Sequence, residues 1–194
     1  MLKVGLTGGI GSGKSTVGKI LEAMGYPVFY SDDAAKKCVD THPEIRRELT
    51  ALLGEDTYEN NQLNRTYVAL RMFSDDQIRL KMNAIIHPRV RVLFDEFIQQ
   101  QSSTIVFNEA AILIETGAYK LFDQLVLVTA PDELKIKRVM EREQCSRESV
   151  IDRMEKQWTD AAKKDVADFV LVNDEESLLI PQIETLIQAL KSIH

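Results

Sequence analysis

Short apolar runs alternate along the chain with longer segments in which apolar residues recur at helical spacing. The runs are rich in Val, Ile, Leu and Phe, and they predict strands at 3–7, 27–30, 104–108, 125–129 and 169–172. The helical spacing is clear between the first two strands, where we expect one buried helix face formed by Val17, Ile20, Leu21 and Met24. Strands that alternate with helices indicate a parallel sheet covered by helices on both faces, so the predicted class is α/β.

The other segments with helical spacing predict helices at 33–40, 43–53, 65–73, 76–85, 88–100, 132–142, 146–163 and 176–192. Proline supports three of these starts, because Pro43, Pro131 and Pro181 stand at or just inside a first turn, where proline is tolerated. No convincing strand pattern occurs between 31 and 103. We therefore expect that stretch to form a helical insertion beside the sheet.

The composition is that of one ordinary globular domain. The chain has 194 residues, of which 44% are hydrophobic and 28% charged, so a disordered or collagen-like chain is excluded. It contains no run of 18 apolar residues, and its start leads into a glycine-rich loop without the apolar core of a signal peptide. Cys38 and Cys145 are far apart and lack a C-x-x-C partner, which favours a reducing compartment. We expect a cytoplasmic protein.

Charge is distributed unevenly along the chain. The net charge of −6 argues against nucleic acid as a partner, because nucleic acid usually requires a broad basic face. Two segments are nevertheless basic: 65–91 carries six basic and two acidic side chains, and 135–164 carries nine and six. Such islands indicate local sites for anions, although two solvated helix faces would give the same pattern.

The strongest motif is GGIGSGKST at Gly8–Thr16, which matches G-x-x-x-x-G-K-[ST] and lies between a predicted strand and a predicted helix. Six of the nine glycines lie within residues 5–18, which lets backbone N–H groups approach phosphate oxygens without a Cβ in the way. The motif predicts a nucleotide-phosphate site in which Lys14 reaches the β- and γ-phosphates and Ser15 ligates Mg²⁺. The other expected phosphate contacts are Gly9, Gly11, Ser12, Gly13 and Thr16.

Several classes of protein share such a loop. A regulatory GTPase usually has D-x-x-G and N-K-x-D, and neither occurs here. A motor ATPase usually has an apolar run that ends in Asp-Glu, whereas Ile105–Glu109 has asparagine before its glutamate. A small-molecule kinase needs a mobile lid that carries arginine. Four arginines follow the fourth predicted strand, where a lid would lie: Arg138, Arg142, Arg147 and Arg153. The alternative for these arginines is exposed helix charge partnered by Glu141 and Glu143.

Further short segments stand in order along the chain. They are the aspartate pair after the second predicted strand, the His-Pro segment Ile86–Arg91, the apolar run Ala111–Glu115 and the strand Ala167–Asn173, which ends in asparagine. Together with Leu6–Val17, these segments are similar in sequence and order to the dephospho-coenzyme A kinase family. The resemblance covers nearly the whole chain.

The match to the family pattern is close but not complete. Asp32 matches the second aspartate of the family's D-A-D motif, whereas Tyr30 and Lys36 replace its first aspartate and the following arginine. Ala111 replaces the proline of P-L-L-F-E, and Glu175 replaces the glycine that follows A-D-x-V-I-x-N. Two further matches, the lid arginines and an R-x-x-x-Q helix, are carried by Arg138, Arg142, Arg153 and Gln157.

The resemblance implies a P-loop kinase fold, with a five-stranded parallel sheet flanked by helices, in one domain. Its core would comprise about 1–31, 104–134 and 165–194, with a helical acceptor-binding insertion at about 32–103 and a lid at about 135–164. The implied activity is phosphorylation by ATP of the ribose 3′-hydroxyl of dephospho-coenzyme A, the last step of coenzyme A synthesis. We expect small-molecule partners, no membrane partner, and a monomer or small homo-oligomer.

The resemblance also implies roles for single residues. Lys14 and Arg138 would stabilise the charge of the transferred phosphoryl group, and Arg142 and Asn173 would contact ATP. Asp32 would take the proton of the acceptor hydroxyl. The alternative role for Asp32 is that of a helix N-cap, since Asp32 and Asp33 precede a predicted helix. Sharing of both roles between the two carboxylates stays open.

On the acceptor side, His87 and Arg91 lie one helical turn apart and would contact the substrate, Arg91 through a phosphate. A helix-start or packing role is the alternative for His87. Trp158, Phe94 and Phe97 are expected in the core. Two other functions stay open from the residues alone: another small-molecule kinase of the same fold, and a non-catalytic ATP-binding module that regulates a partner.

Overall fold

A parallel sheet is the central feature of the computed structural model, which describes residues 1–193 apart from the side chains of Phe73, Ser74 and Asp76. In chain order the described strands of the protein are β1 (Leu2–Thr7), β2 (Val28–Tyr30), β3 (Tyr58–Glu59), β4 (Gln62–Leu63), β5 (Ile105–Glu109), β6 (Gln124–Thr129) and β7 (Phe169–Val172). The sheet has the order β2-β5-β1-β6-β7 with every neighbouring pair parallel, and β3 and β4 form a separate antiparallel hairpin. The predicted α/β class is confirmed, and each of the five predicted strands lies within one residue of its observed bounds.

Helices make up most of the rest of the described chain. They are α1 (Lys14–Ala23), α2 (Ser31–Thr41), α3 (Pro43–Leu53), α4 (Arg65–Ser74), α5 (Asp76–Gln99), α6 (Asp132–Glu143), α7 (Arg147–Glu155), α8 (Asp160–Lys164) and α9 (Leu179–Ile193). Short 3₁₀ turns lie at Glu55–Thr57 and Ala118–Leu121. The structure divides into two compact units: one comprises Met1–Tyr30 and the described chain from Gln101 onward, and the other Ser31–Gln100.

Three expectations about these elements are wrong. The stretch 31–103 does contain strands, because β3 and β4 pair across a tight turn at Asn60 and Asn61, both with positive φ. The two helices predicted at 76–85 and 88–100 are one helix, α5, which runs through Pro88. A proline inside a helix costs about 3 kcal/mol, and the packing of α5 against α2, α3 and α4 outweighs this cost. The helix predicted at 146–163 is divided into α7 and α8.

In the first unit, both faces of the sheet are covered. β1 and β5 are almost entirely buried, which is typical of parallel strands covered on both faces. α1 and α9 pack on one face of the sheet, where the buried residues that they contribute are Val17, Leu21, Ile183, Leu186, Ile187 and Leu190. The expected helix face is confirmed for Val17 and Leu21, and Ile20 is half-buried beside them. Met24 is exposed, because it lies beyond the last turn of α1.

The second unit consists of α2 to α5 and the β3–β4 hairpin, with α5 packed against the other three helices. The buried residues of α5 recur at helical spacing and are Ile78, Met82, Ile86, Val90 and Phe94. The core expectation is therefore confirmed for Phe94, while Phe97 is half-buried. No helix within residues 1–193 is long and apolar enough to span a membrane.

Candidate active site

The glycine-rich loop joins the buried end of β1 to the first turn of α1. Gly11 has a φ of 76° and Gly13 a φ of 93°, in the left-handed region that favours glycine. A Cβ on Gly11 would lie 2.4 Å from the carbonyl oxygen of Lys135, and one on Gly13 would lie 2.0 Å from Nδ2 of Asn173. Both positions therefore require glycine for backbone geometry and for space.

The polar groups of this loop suit a triphosphate. Lys14 is 8% exposed, and its Nζ donates to the carbonyl oxygens of Gly8 at 3.0 Å and Gly9 at 3.3 Å. Ser12 is fully buried, and its Oγ has no hydrogen-bond partner among the described residues. The loop thus offers a cation, a buried hydroxyl and the N–H groups of a helix start, which together form an anion-binding arrangement.

The loop also fits Mg²⁺ carried by a nucleotide. Ser15 lies exposed in the first turn of α1, next to Lys14. Among the described side chains no three His, Cys, Asp or Glu residues are grouped as a metal site. Protein-bound Mg²⁺ commonly takes one or two protein oxygens together with substrate phosphates and water, so one hydroxyl at this place fits the ion.

Two predicted nucleotide residues lie against this loop. The Asn173 side chain donates from Nδ2 to the carbonyl oxygen of Ser12 at 2.9 Å. Arg138, on α6, donates from Nη1 to the carbonyl oxygen of Asn173 at 3.1 Å and pairs through Nη2 with Glu175 Oε1 at 3.2 Å. The family glycine is missing at Glu175, yet the backbone keeps a glycine-like φ of 71° there. The structure thus brings Arg138, Asn173 and the loop together.

Arg142 lies one turn further along α6 and is more exposed. It pairs with Glu143, whose other carboxylate oxygen accepts from Arg153 at 2.5 Å. These two hydrogen bonds lower the pKa of the Glu143 carboxyl, with that from Arg153 the larger cause. The structure therefore places Arg142 in a surface ion-pair cluster, and its contact with ATP stays a prediction.

In the second unit, Asp32 lies in the first turn of α2, two residues after the end of β2. The N-cap interpretation of Asp32 and Asp33 is wrong, because α2 begins at Ser31 and both residues lie within the helix. Asp33 pairs instead with Lys36 at 2.9 Å, so the lysine that replaces the family arginine binds the neighbouring carboxylate. Asp32 is exposed.

His87 and Arg91 lie one turn apart on α5, and the charge of Asp32 reaches His87. Burial lowers the pKa of His87, Arg91 lowers it further, and Asp32 partly opposes both. Helix α2, which carries Asp32, packs against α5, which carries His87 and Arg91, so the three predicted acceptor residues lie on two helices in contact within the second unit.

Sequence reasoning missed a set of side chains behind the phosphate loop. Gln157 accepts a hydrogen bond from the N–H of Ile10 at 2.9 Å. Lys135 is almost fully buried and pairs with Asp132 at 2.7 Å and Asp160 at 2.9 Å. Burial alone would lower the pKa of Lys135, but its hydrogen bonds to Asp132 and Asp160 outweigh that effect and raise it. Only Gln157 had a signal in the sequence, as the glutamine of R-x-x-x-Q.

Trp158, expected in the core, is instead 50% exposed. Its backbone N–H donates to Glu115 Oε1 at 3.1 Å. The same carboxylate oxygen lies 2.8 Å from Nζ of Lys163, which is completely buried on α8. In the sequence, Glu115 is marked only as the last residue of a family-like apolar run, and its partners have no signal there.

The protein has a glycine-rich phosphate loop between the first strand and the first helix of a parallel sheet, and an arginine and an asparagine lie against that loop. These features define a P-loop kinase. The fold agrees: a shikimate kinase from Acinetobacter baumannii matches with a TM-score of 0.54 and 17% identity over 99% of this chain and 94% of that one. A solved protein from Thermus thermophilus matches with a TM-score of 0.85 and 33% identity, over 98% and 96%.

The family is shown by sequence. The family model described as dephospho-CoA kinase matches residues 2–178. A dephospho-CoA kinase from Bacteroides fragilis is 43% identical over all of this chain and 95% of its own length. The chain belongs to the dephospho-CoA kinase family, as the resemblance predicted. It is an ATP-dependent phosphotransferase for the ribose 3′-hydroxyl of dephospho-CoA, and this reaction is the final step of coenzyme A synthesis.

Proposed function

We propose that this reaction uses ATP bound by Gly8–Thr16 and an acceptor bound by the insertion of about 32–103, with Asp32 taking the proton of the acceptor hydroxyl. The observation that carries the proposal is the grouping of Lys14, Asn173 and Arg138 around one phosphate-binding loop. A loop of this kind needs cations beside the γ-phosphate, and Lys14 and Arg138 are two such cations.

On the donor side, the chain mainly positions charge, because phosphoryl transfer has a loose transition state with charge on its equatorial oxygens. Lys14 exchanges the carbonyl oxygens of Gly8 and Gly9 for the β- and γ-phosphates. Ser15 would hold Mg²⁺, which would neutralise charge on those phosphates. Asn173, which bonds to the carbonyl oxygen of Ser12, would contact the adenine.

The segment of about 135–164 acts as a lid in this proposal. Arg138 leaves Glu175 to meet the transferring phosphoryl group, and Arg142 leaves its surface carboxylate to contact ATP. The core of about 1–31, 104–134 and 165–194 stays in place, and so does the contact of Gln157 with Ile10, while the arginine side chains of the lid turn towards the phosphates. The exchange is favourable because an exposed ion pair is weak, whereas arginine binds phosphate through two parallel hydrogen bonds.

On the acceptor side, the insertion of about 32–103 provides a base and two further contacts. Asp32 accepts the proton as the 3′-hydroxyl attacks. Arg91 binds a phosphate of the acceptor. His87, whose pKa is lowered by burial and by Arg91, offers a hydrogen bond to the acceptor. The reaction takes place in the cytoplasm, on small molecules alone.

Asp32→Asn tests the assignment of the base. The substitution keeps size and polarity, and Asp32 is exposed, so we expect the melting temperature and the Kd for ATP to be nearly unchanged. Loss of a general base lowers the rate by roughly 10²- to 10⁴-fold. We expect kcat for dephospho-CoA, measured by ADP release, to fall by at least about 10²-fold.

Asp33→Asn is the matched control, since Asp33 is the neighbouring carboxylate and pairs with Lys36. We expect it to retain nearly full kcat. If Asp33→Asn abolishes turnover while Asp32→Asn does not, the base is Asp33. If both variants keep the wild-type rate, the proton goes to another group and this part of the proposal is wrong.

A further inference from the structure

Ile10 is the one large side chain within the run Gly8–Gly13, and it is held in two ways. Its backbone N–H donates to Gln157 Oε1 at 2.9 Å. Its side chain packs against a small apolar cluster of α6 and α7 formed by Ile136, Val139 and Val150. The middle of the glycine-rich loop is therefore attached to the segment 135–164 by a hydrogen bond and by apolar contact.

The turn that carries Gln157 is itself fixed from several sides. The backbone N–H of Trp158 donates to Glu115 Oε1 at 3.1 Å. Thr159 caps α8, accepting from the N–H of Ala162 at 3.3 Å. Asp160 pairs with the buried Lys135 at 2.9 Å. Because its neighbours on the C-terminal side are held in this way, Gln157 reaches Ile10 from a position that is already ordered.

Two buried lysines hold this turn and the short helix after it. The side chain of Lys135 is 4% exposed and that of Lys163 is fully buried, and each is paired with a carboxylate. Buried ion pairs add little net stability, because desolvation of the charges offsets their attraction. These two buried ion pairs are therefore better explained by the positions that they give to the turn and to α8 than by added stability.

The same group of side chains also lies behind Gly9. A Cβ on Gly9 would lie 3.5 Å from Asp160 Oδ1, 3.6 Å from Lys135 Nζ and 3.8 Å from Gln157 Oε1. The turn at 157–160 therefore faces two consecutive residues of the loop, Gly9 and Ile10. Because the turn at 157–160 lies along the backbone of both residues, it contacts the loop over more than a single atom.

We propose that Gln157 is a positioning residue, which holds the Ile10 N–H so that the phosphate loop has its binding conformation before ATP arrives. Glycine loses more conformational freedom on ordering than any other residue, so a loop with four glycines in six residues would otherwise order only when the phosphates bind. The inference rests on the proposed assignment of Gly8–Thr16 to ATP.

Gln157→Met tests the proposal, because methionine has nearly the same shape and lacks the accepting oxygen. We expect the Kd values for ATP and ADP to rise roughly two- to tenfold, the range for loss of one hydrogen bond. The KM for dephospho-CoA and kcat at saturating ATP should stay near the wild-type values. Without nucleotide, the amides of residues 8–13 should exchange hydrogen for deuterium faster in the variant.

Gln124→Met is the matched control. Gln124 is also half-buried and donates to the carbonyl oxygen of its neighbour Asp123, but it lies at the start of β6, at the opposite end of the sheet from the loop. We expect its Kd values and its loop exchange to equal those of the wild type.

The proposal is overturned if Gln157→Met lowers the melting temperature while the nucleotide Kd and the loop exchange stay at wild-type values. It is also overturned if kcat falls and Kd does not, since Gln157 would then act in the transition state. A wild-type protein that fails to bind ATP would instead contradict the proposed function. If Gln157→Met lowers expression, loop exchange in the folded fraction still distinguishes these outcomes.

Discussion

Arg138 is held in the structure by groups that a phosphate could replace. Its guanidinium donates to the carbonyl oxygen of Asn173 and pairs with Glu175, whose side chain is 61% exposed. Asn173 in turn bonds to the carbonyl oxygen of Ser12 in the phosphate loop. Arg138 therefore lies within reach of the loop before the lid closes, whereas Arg142 lies in a surface cluster one turn away.

We expect Arg138→Ala to lower kcat by roughly 10³-fold, since an arginine that meets the transferring phosphoryl group contributes on that scale. The Kd for ATP should change much less, because the contact forms chiefly in the transition state. Steady-state ADP release and equilibrium ATP binding measure the two effects.

Arg142→Ala is the control for this substitution, because Arg142 stands on the same helix with an exposed partner, Glu143. We expect a smaller loss of kcat than for Arg138→Ala. An unchanged kcat in Arg138→Ala would show that this arginine is only part of a solvated helix face, as the sequence also allowed.

The residues of the phosphate loop were predictable because their chemistry is local. Nine consecutive residues contain the turn, the cation and the hydroxyl, and the structure supplies the steric reasons for Gly11 and Gly13. The hydrogen bond from Ile10 to Gln157 joins residues 147 positions apart, and no local pattern contains it. The burial of Lys135 was hidden for the same reason, since its partner Asp160 lies on another helix.

At the scale of elements, strands were predicted better than helix ends. Five apolar runs are enough to mark the five strands of the parallel sheet. The break between α7 and α8 depends instead on distant partners, because the N–H of Trp158 binds Glu115 and Gln157 binds the loop. The continuity of α5 through Pro88 likewise depends on the helices packed against it.

The ion pair between Glu115 and Lys163 provides a test at this scale. Lys163→Met removes the charge but keeps most of the volume, and it leaves the carboxylate of Glu115, which is 13% exposed, without its cation. Removal of one partner of a buried pair costs about 3–5 kcal/mol. We expect a loss of this size in the free energy of unfolding, measured with urea.

The double variant Lys163→Met with Glu115→Gln is the control. Glutamine is uncharged and keeps an oxygen that accepts from the N–H of Trp158. We expect the double variant to recover most of the lost stability, because replacing both partners of a buried pair is often neutral. A single Lys163→Met variant as stable as the wild type would contradict the assignment of the cost to an unpaired charge.

At the scale of the whole molecule, the assignment of ATP binding and acceptor binding to different parts of the chain was only partly predictable. The basic segment 65–91 indicated an anion site, and its position between the second and third sheet strands indicated an insertion. The grouping of Asp32 with His87 and Arg91 requires α2 to pack against α5, and this pairing has no signature in a single sequence.

This grouping makes stability depend on pH through His87. Burial and Arg91 lower its pKa in the folded state below the ordinary value of 6.5. As the pH falls through that ordinary value, the unfolded state therefore takes up the proton first, and the free energy of unfolding decreases. We expect urea unfolding, followed by circular dichroism, to show a lower stability at pH 5.5 than at pH 8.

His87→Gln cannot take up this proton, so the part of the acid destabilisation that comes from His87 should vanish in that variant. Arg91→Gln should reduce the pH dependence, because Arg91 is one cause of the lowered pKa. Asp32→Asn should increase it, because Asp32 acts to raise the same pKa. Because Arg91→Gln and Asp32→Asn are expected to change the pH dependence of stability in opposite directions, the pair of variants distinguishes His87 from other acid-sensitive groups. If all three variants lose stability with acid as the wild type does, the destabilisation arises elsewhere in the molecule.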